Sequence, residues 1–524
     1  MFSWSENFSP WQTLKSWRPY FLIFVLGFLI YSQTLFFNFT YLDDQELIIN
    51  KVELLSNVKN FGLIFTNDVF FSVDKFYYRP LLNISFMMDA IFGSFLTPVF
   101  YLDNILLHIL AAALIFYLLH RLLRRKLLAF FLSLIFLLHP MLVQAVAWIP
   151  GRNDSLLTVF VLIAFIAFLN FLEYPRLRSY IAYLFFFLAA LLTKESAIGL
   201  PLLIIFYFLF VNRGALEKSD KFLLVVGSAG VTFIWFLMRY FSLGGEPSST
   251  ASVFGFFSNL PALFLYLGTL IFPFNLAVLP ILLDSTVIYG VISLLIILAF
   301  LFLSQHKRNN YIIFGTLWFL IFLLPSFMNF SGVPYFNEHR LHLSFFGFLL
   351  VIAEIDFIKY LDFSKRAVKI SAVTILLLLA LISVWHSRSF SDRLTFWQAA
   401  VTKSPHLPLA QRNLGVMYYF AGNFAAATSA DVKALELNTQ EPMVHNNLGV
   451  MYMEKENWVL AEQEFRAELK INPNYDIALF NMGDLFVRRG QDASAIPWFQ
   501  ATLRANPNYY EAVDRLLILQ KRLK

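Results

Sequence analysis

The chain has 524 residues, 59% of them hydrophobic and 18% aromatic, with 62 Phe and only 14% charged residues. A soluble globular surface of this size needs more charge than that, so composition excludes a soluble enzyme and indicates a protein that lives in a bilayer. Cysteine is absent and the formal net charge is +6, which excludes disulfides, thiolate nucleophiles and cysteine-ligated zinc and fits a bacterial origin.

In chain order, Lys15 and Arg18 precede an apolar run from 20 to 37 with no small-residue cleavage site after it. That run reads as a retained first span rather than a removed signal peptide. Further spans are expected near 99–120, 127–139, 155–172, 180–192, 197–211, 222–241, 285–304, 311–328, 341–358 and 370–386, about eleven in all. The stretch 259–280 is interrupted by Pro261, Pro273 and Pro280 and reads as re-entrant or interfacial. The run from 180 to 211 has basic residues beyond both ends, which argues for a hairpin of two short arms with TKES, residues 193–196, at a recessed tip.

Basic residues set the orientation. A cytoplasmic N-terminus puts Arg121, Arg124, Arg125 and Lys126 inside, followed by Arg176 and Arg178, by Arg213, Lys218 and Lys221, by Lys307 and Arg308, and by Lys359, Lys365, Arg366 and Lys369. The positive-inside rule accounts for these clusters without nucleic acid. The expected location is a bacterial inner membrane, with the C-terminal region in the periplasm.

From about 394 the composition shifts to Asn, Glu, Gln and Ala. RNLGVMYYFAGN, NNLGVMYMEKEN and FNMGDLFVRRGQ align at a period of 34, matching Gly415, Gly449 and Gly483 and, in the second helix, Ala427, Ala461 and Ala495. This is the pattern of tetratricopeptide repeats. Three repeats and a capping helix near 509–523 make a short α-solenoid whose concave face suits a peptide or protein segment. The expected fold class is therefore all-α, with a polytopic membrane domain over 1–390 and a repeat domain over 391–524.

In this topology Asp43, Asp44, Arg79, His139, Arg152, Asp154, Lys194, Glu195, Glu338, His339, Arg340 and His342 all fall on the extracytoplasmic side. Ionisable groups at membrane depth are costly and face a cavity or one another, so these separated loops are expected to build one polar chamber. Each also has a plainer reading. Asp43 and Asp44 can form an exposed turn, His139 can end a helix, and Arg79 can snorkel. Arg152 can pair with Asp154, Lys194 with Glu195, and Glu338 with Arg340. Taken together, the set suits transfer of a sugar from a lipid phosphate to a hydroxyl. Asp43 or Asp44 can take the acceptor proton, and Arg340, Lys194 and Arg152 can stabilise the departing phosphate.

DD at 43–44, RPL at 79–81, LLHP and WIPGRND within 137–154, TKES at 193–196 and EHRLHLSFFGF at 338–348 occur in that order ahead of the repeats. This order resembles the transmembrane and tetratricopeptide repeat-containing O-mannosyltransferase family, of the GT-C superfamily, in a bacterial-type form. The resemblance implies inverting transfer of a mannose-like sugar from a polyprenyl-phosphate donor to Ser or Thr of a protein, or to a glycan. It favours Asp43 as the base, with Asp44 positioning the acceptor or a cation. Similar sequences carry Glu-Arg-Arg followed by Leu-Tyr-Leu-Pro, whereas this chain has Glu338, His339, Arg340, then Leu341, His342, Leu343 and Ser344. Arg340 keeps the phosphate-clamp position, and Arg79 joins it.

A membrane-anchored repeat scaffold that recruits partner proteins explains the repeats but not the one-sided polar set. A lipid-linked glycan ligase or polymerase is chemically close to the leading reading. A transporter would place ionisable residues near the midplane, where these spans lack them. Adjacent aspartates can hold a divalent cation, but the basic residues supply the same charge, so a metal-independent site without cofactor is favoured.

Overall fold

A computed structural model describes residues 17–72, 77–212, 217–244, 253–328 and 336–522. Lys15 and Arg213, used above for orientation, lie outside the described residues. Helices make up the architecture, and the chain divides between Phe396 and Trp397 into two compact units.

Among the described residues of the first unit, six helical segments are long and apolar enough to cross a membrane: Trp17–Phe36, Thr97–Leu123, Ile149–Glu173, Lys218–Ser242, Asn309–Phe327 and Arg366–Phe390. The pair Lys126–Leu138 and Pro140–Ala147, bent by 54°, reaches the same length as one broken span or a re-entrant loop. Pro140 explains the bend, because it cannot donate into the helical ladder. The other expected spans are shorter helices: Leu177–Thr193, Glu195–Val211 and Ile288–Leu303, and Leu341–Ile352. The expectation of about eleven spans includes these shorter segments; by length and composition alone, six helices, or seven with the bent pair, reach spanning length among the described residues.

The sequence reading also passed over Pro80–Gly93, a 14-residue apolar helix that starts on the proline of RPL. Proline is favoured at a first helical position, where its missing N–H costs nothing. Within 259–280 the helix Ala262–Ile271 is followed by non-helical chain. Helices Asn309–Leu323 and Leu341–Ile352 cross at Gly315 and Gly347, where an added Cβ on Gly315 would lie 2.7 Å from the Gly347 carbonyl oxygen. Small residues permit this close approach, which gains dispersion contact where lipid offers no hydrophobic drive.

In the second unit, helices pair in step with the 34-residue repeat: Pro408–Phe420 with Phe424–Leu437, Val444–Glu454 with Trp458–Ile471, and Asp476–Arg488 with Asp492–Ala505, followed by Tyr510–Arg522. Asn423 and Asn457, one period apart, each cap the second helix of their pair by accepting from the backbone N–H three residues on. Gly449 and Gly483 make room for the rings of Phe465 and Phe499. The equivalent position in the first pair is Asp431, whose carboxylate faces Gly415. Asp431 is 1% exposed, and neither carboxylate oxygen has a hydrogen-bond partner among the described residues.

Burial pushes the Asp431 carboxyl up from 3.8 to about 8, although Asn447 and Arg412 draw it partly back. A raised folded-state value favours the protonated acid in the fold, so its stabilisation is complete below about pH 4 and is lost as pH rises through about 8. Raising pH from 5 to 8 should therefore weaken protection of residues 408–454 by on the order of a few kcal/mol. Hydrogen exchange of the full chain, corrected for intrinsic rates, measures this. Asp431→Asn should flatten the pH dependence, and a slope unchanged in that variant would refute the assignment.

Candidate functional site

The opening carboxylates are separated by the fold. Tyr41 adopts a left-handed φ of 59°, which turns the chain so that Asp44 accepts from the N–H of Thr40 (2.6 Å) and of Leu42 (2.9 Å). With Thr40 Oγ1 also near its oxygens, Asp44 is 1% exposed and holds the loop together. Asp43 begins the short helix Asp43–Leu47 and remains half-buried. Its pKa is raised from 3.8 to about 6, chiefly by desolvation and then by the neighbouring Asp44, while Arg79 opposes the rise.

Arg79 reaches Glu195 through two bonds, Nη2–Oε1 at 2.6 Å and Nε–Oε2 at 3.2 Å. Its guanidinium also lies 4.3 Å from the centroid of the Tyr77 ring. In the amide orientation that satisfies both neighbours, Asn153 accepts from Arg79 Nη1 at 3.0 Å and donates to the Thr193 carbonyl at 2.9 Å. Lys194 places Nζ 2.8 Å from each oxygen of Asp154. The plainer readings, Arg152 paired with Asp154 and Lys194 with Glu195, give way to Lys194–Asp154 and Arg79–Glu195. The reason is local: Lys194 is extended, with φ −157° and ψ 135°, and successive side chains of an extended backbone point to opposite sides.

His339 Nε2 lies 3.8 Å from Asp154, and its Nδ1 lies 3.0 Å from Gln144 Oε1. Burial holds the imidazole well below its ordinary pKa, and Lys194, Arg340 and Arg79 depress it further, so the ring is neutral. Arg340 donates to the Ser326 carbonyl at 2.9 Å. Asp43, Arg79, Asp154, Lys194, Glu195, His339 and Arg340 thus share one electrostatic neighbourhood.

The other expected residues do not face it. Arg152 is fully buried, with Nη1 2.6 Å from Asp89, Nε 2.7 Å from Asn104 Oδ1 and Nη2 2.6 Å from the Phe100 carbonyl. Its donors are committed inside the helical core, so it is not available to a donor phosphate. His139 accepts from the Met141 N–H and meets the Leu270 carbonyl, ending its helix. His342 is enclosed between Thr158 and His108. Glu338 does not pair with Arg340. Instead it binds His386 at 2.8 Å and the Ala277 N–H at 3.0 Å, fixing the loop that carries His339 and Arg340.

Sequence reasoning missed Arg239, near the end of Lys218–Ser242. It lies within electrostatic reach of Glu195 and Arg79, and its Nη1 is buried without a hydrogen-bond partner among the described residues. A single arginine ending an otherwise apolar run, four residues after Trp235, was the signal. Its guanidinium lies 6.0 Å from the Trp235 ring. Trp235 and Ile198 in turn line an apolar groove of about 1380 Å³ between the helices near 198–210 and 221–236. From Lys221 to Trp235, both in its wall, the groove runs roughly 20 Å along the helix axis. Among the described residues no group of three or more His, Cys, Asp or Glu side chains is arranged to hold a metal ion.

Residues 83–238 match the family described as dolichyl-phosphate-mannose-protein mannosyltransferase. Protein O-mannosyl-transferase Tmtc1 of Drosophila melanogaster is 30% identical over 184 residues, which is 34% of this chain and 21% of that protein. Human protein O-mannosyl-transferase TMTC1 is 28% identical over 195 residues, 34% of this chain and 22% of its own length. The chain thus spans about a fifth of the length of these curated relatives. A crystal structure of yeast Tom70 aligns with 78% of this chain and 95% of its own at 12% identity, with a TM-score of 0.24. Over about a third of its length the chain is thus similar to O-mannosyltransferases.

The titration of Asp43 tests the site directly. Carboxyl infrared difference spectra of the full chain should give a midpoint near 6. Arg79→Gln should move that midpoint up and Asp44→Asn should move it down. A midpoint near 4 that neither variant shifts would contradict the assembled geometry.

Proposed function

We propose that this protein is a membrane glycosyltransferase that moves a mannose-like sugar from a polyprenyl-phosphate donor to a hydroxyl, on Ser or Thr of a protein or on a glycan. The observation that carries this reading is the convergence of Arg79, Lys194 and Arg340 on His339, with Arg79 also within electrostatic reach of the half-buried carboxylate Asp43. The two needs of the reaction, a base and a counter-charge for phosphate, are met from separate loops at one end of the helices. The matches to O-mannosyltransferases support the same chemistry.

In the proposed step the acceptor oxygen attacks the anomeric carbon as its proton passes to Asp43. The bond from that carbon to the phosphate oxygen breaks, and polyprenyl phosphate leaves. Attack from the face opposite the leaving group inverts the anomeric centre. Arg340, Lys194 and Arg79 stabilise the charge growing on the phosphate, with Arg239 as an added donor. The groove that opens beside Ile198 and Trp235 offers hydrocarbon-lined space for the first isoprene units. Asp44 shapes the loop, raises the pKa of its neighbour and binds no substrate.

The site is proposed to face the extracytoplasmic side of a bacterial inner membrane. The N-terminus then lies in the cytoplasm, and the repeat unit serves as an extracytoplasmic docking face for a protein partner.

The test is transfer of labelled mannose from a panel of polyprenyl-phosphate donors by purified full-length protein in lipid. Asp43→Asn should lower turnover about 10²- to 10⁴-fold, the usual range for loss of a general base, with donor binding retained. Because the base acts ionised, the rate should rise with pH through about 6 and level above it. Absence of turnover with every donor, or full activity in Asp43→Asn, would refute the proposal.

A further inference from the structure

A second charged pocket lies at the other end of the helices. Its volume is about 150 Å³, and it is lined by Leu123, Arg125, Leu128, Arg308, Ala353 and Lys359. Helix Thr97–Leu123 measures the separation. The Phe100 carbonyl near its start accepts from Arg152, and the Leu122 carbonyl near its end accepts from Arg308 at 3.3 Å. Twenty-two residues at the helical rise put these points roughly 33 Å apart, so the pocket and the candidate catalytic site belong to opposite membrane faces.

Three cations from separate segments line this pocket, and two of them hold one carboxylate. Glu354 is fully buried and accepts from Arg308 Nε at 2.8 Å and from Lys359 Nζ at 2.7 Å, with Arg308 Nη2 also on its Oε1. Arg125 has no acidic partner among the described residues. Its guanidinium lies 5.7 Å from the Tyr360 ring, its Nη2 is 3.5 Å from the Leu361 carbonyl, and its Nη1 is buried with no hydrogen-bond partner. Three positive charges therefore face one negative charge, and one buried donor is unsatisfied. Positive-inside topology explains why basic residues occur at this face, but not why three line one pocket with a donor left open. A buried polar group without a partner calls for an acceptor.

We propose that this pocket binds the phosphate of an anionic membrane lipid. The volume equals about five waters, room for a tetrahedral oxyanion and too little for a nucleotide sugar. A lipid is favoured over free phosphate because exposed apolar side chains flank the pocket-lining residues in sequence. Leu127 adjoins Leu128, and Phe357 and Tyr360 bracket Lys359, at 59%, 72% and 54% exposure. Arg125 and Arg308 supply directed N–H donors to the phosphate oxygens, and Lys359 adds a point charge. Basic pockets between membrane helices are suited to anionic head groups. The inference is independent of the catalytic reading.

The test is native mass spectrometry of the full chain in detergent, with phosphatidic acid and phosphatidylcholine of identical tails in competition. Wild type should retain phosphatidic acid preferentially. Arg125→Gln and Lys359→Gln should each reduce that preference about fivefold, the effect of one basic residue at a charged lipid surface. Lys369→Gln, which removes an exposed basic residue from a neighbouring helix, should leave it unchanged. Equal loss in Lys369→Gln, or no preference in wild type, would overturn the pocket. Displacement of the lipid by an equal concentration of inorganic phosphate would overturn the lipid assignment in favour of a free oxyanion.

Discussion

The arrangement of the candidate site depends on the buried ion pair between Arg152 and Asp89. Its guanidinium ties the start of helix Arg152–Glu173 to helix Pro80–Gly93 through Asp89 and Ser85, and to helix Thr97–Leu123 through Phe100 and Asn104. Two charges removed from water cost several kcal/mol each, recovered only when the geometry is good and the remaining donors are satisfied. Here both sides are almost wholly buried, at 0% and 2% exposure, so losing one partner would cost about 3–5 kcal/mol. The pair fixes the helix start from which the next two residues project. Asn153 then meets Arg79 and Asp154 meets Lys194. Arg152 therefore acts by positioning the residues that follow it.

Around that anchor the site holds its cations in pairs. Arg79 is matched by Glu195 and Lys194 by Asp154. Pairing fixes the cations in place before any ligand arrives, and preorganised charge stabilises a developing anion without further rearrangement. Among the described carboxylates of this site, Asp43 is the one that is both half-buried and raised in pKa. That combination suits proton transfer near neutral pH.

The sequence made the class of the molecule legible because hydropathy and the 34-residue period are local properties. The positions of TKES and of the repeat glycines follow from them. Partner choice was not legible. Lys194 and Glu195 are adjacent in sequence, yet an extended backbone sends them to different partners. Arg152 and Asp154 are two apart, yet the arginine turns into the core because Asp89 and Asn104 wait there. In sequence those two residues are polar positions within apolar runs, and Arg239 is hidden in the same way. His139, His342 and Glu338 carry chemistry-capable groups that are satisfied by backbone carbonyls, N–H groups or buried histidines. Residue type alone cannot separate such a group from an active one. Burial and partner geometry do.

Helix length also bears on function. Leu177–Thr193 has 17 residues, which rise about 25 Å, less than the roughly 30 Å hydrocarbon core. The chain then breaks at Lys194, and Gly199–Phe206 descends for only eight residues before the π-helical Tyr207–Val211. A polar tip on arms this short lies below the level a full span would reach. Unsatisfied polar groups at that depth would be expensive, and the crossed pairs Lys194–Asp154 and Arg79–Glu195 meet that cost. The apolar groove begins at Ile198, three residues beyond Glu195. On the proposed reading, a lipid-linked phosphate reaches the cations while its hydrocarbon tail stays in hydrocarbon, and the short arms exchange bilayer-spanning length for a charged site at the depth of the carrier's head group.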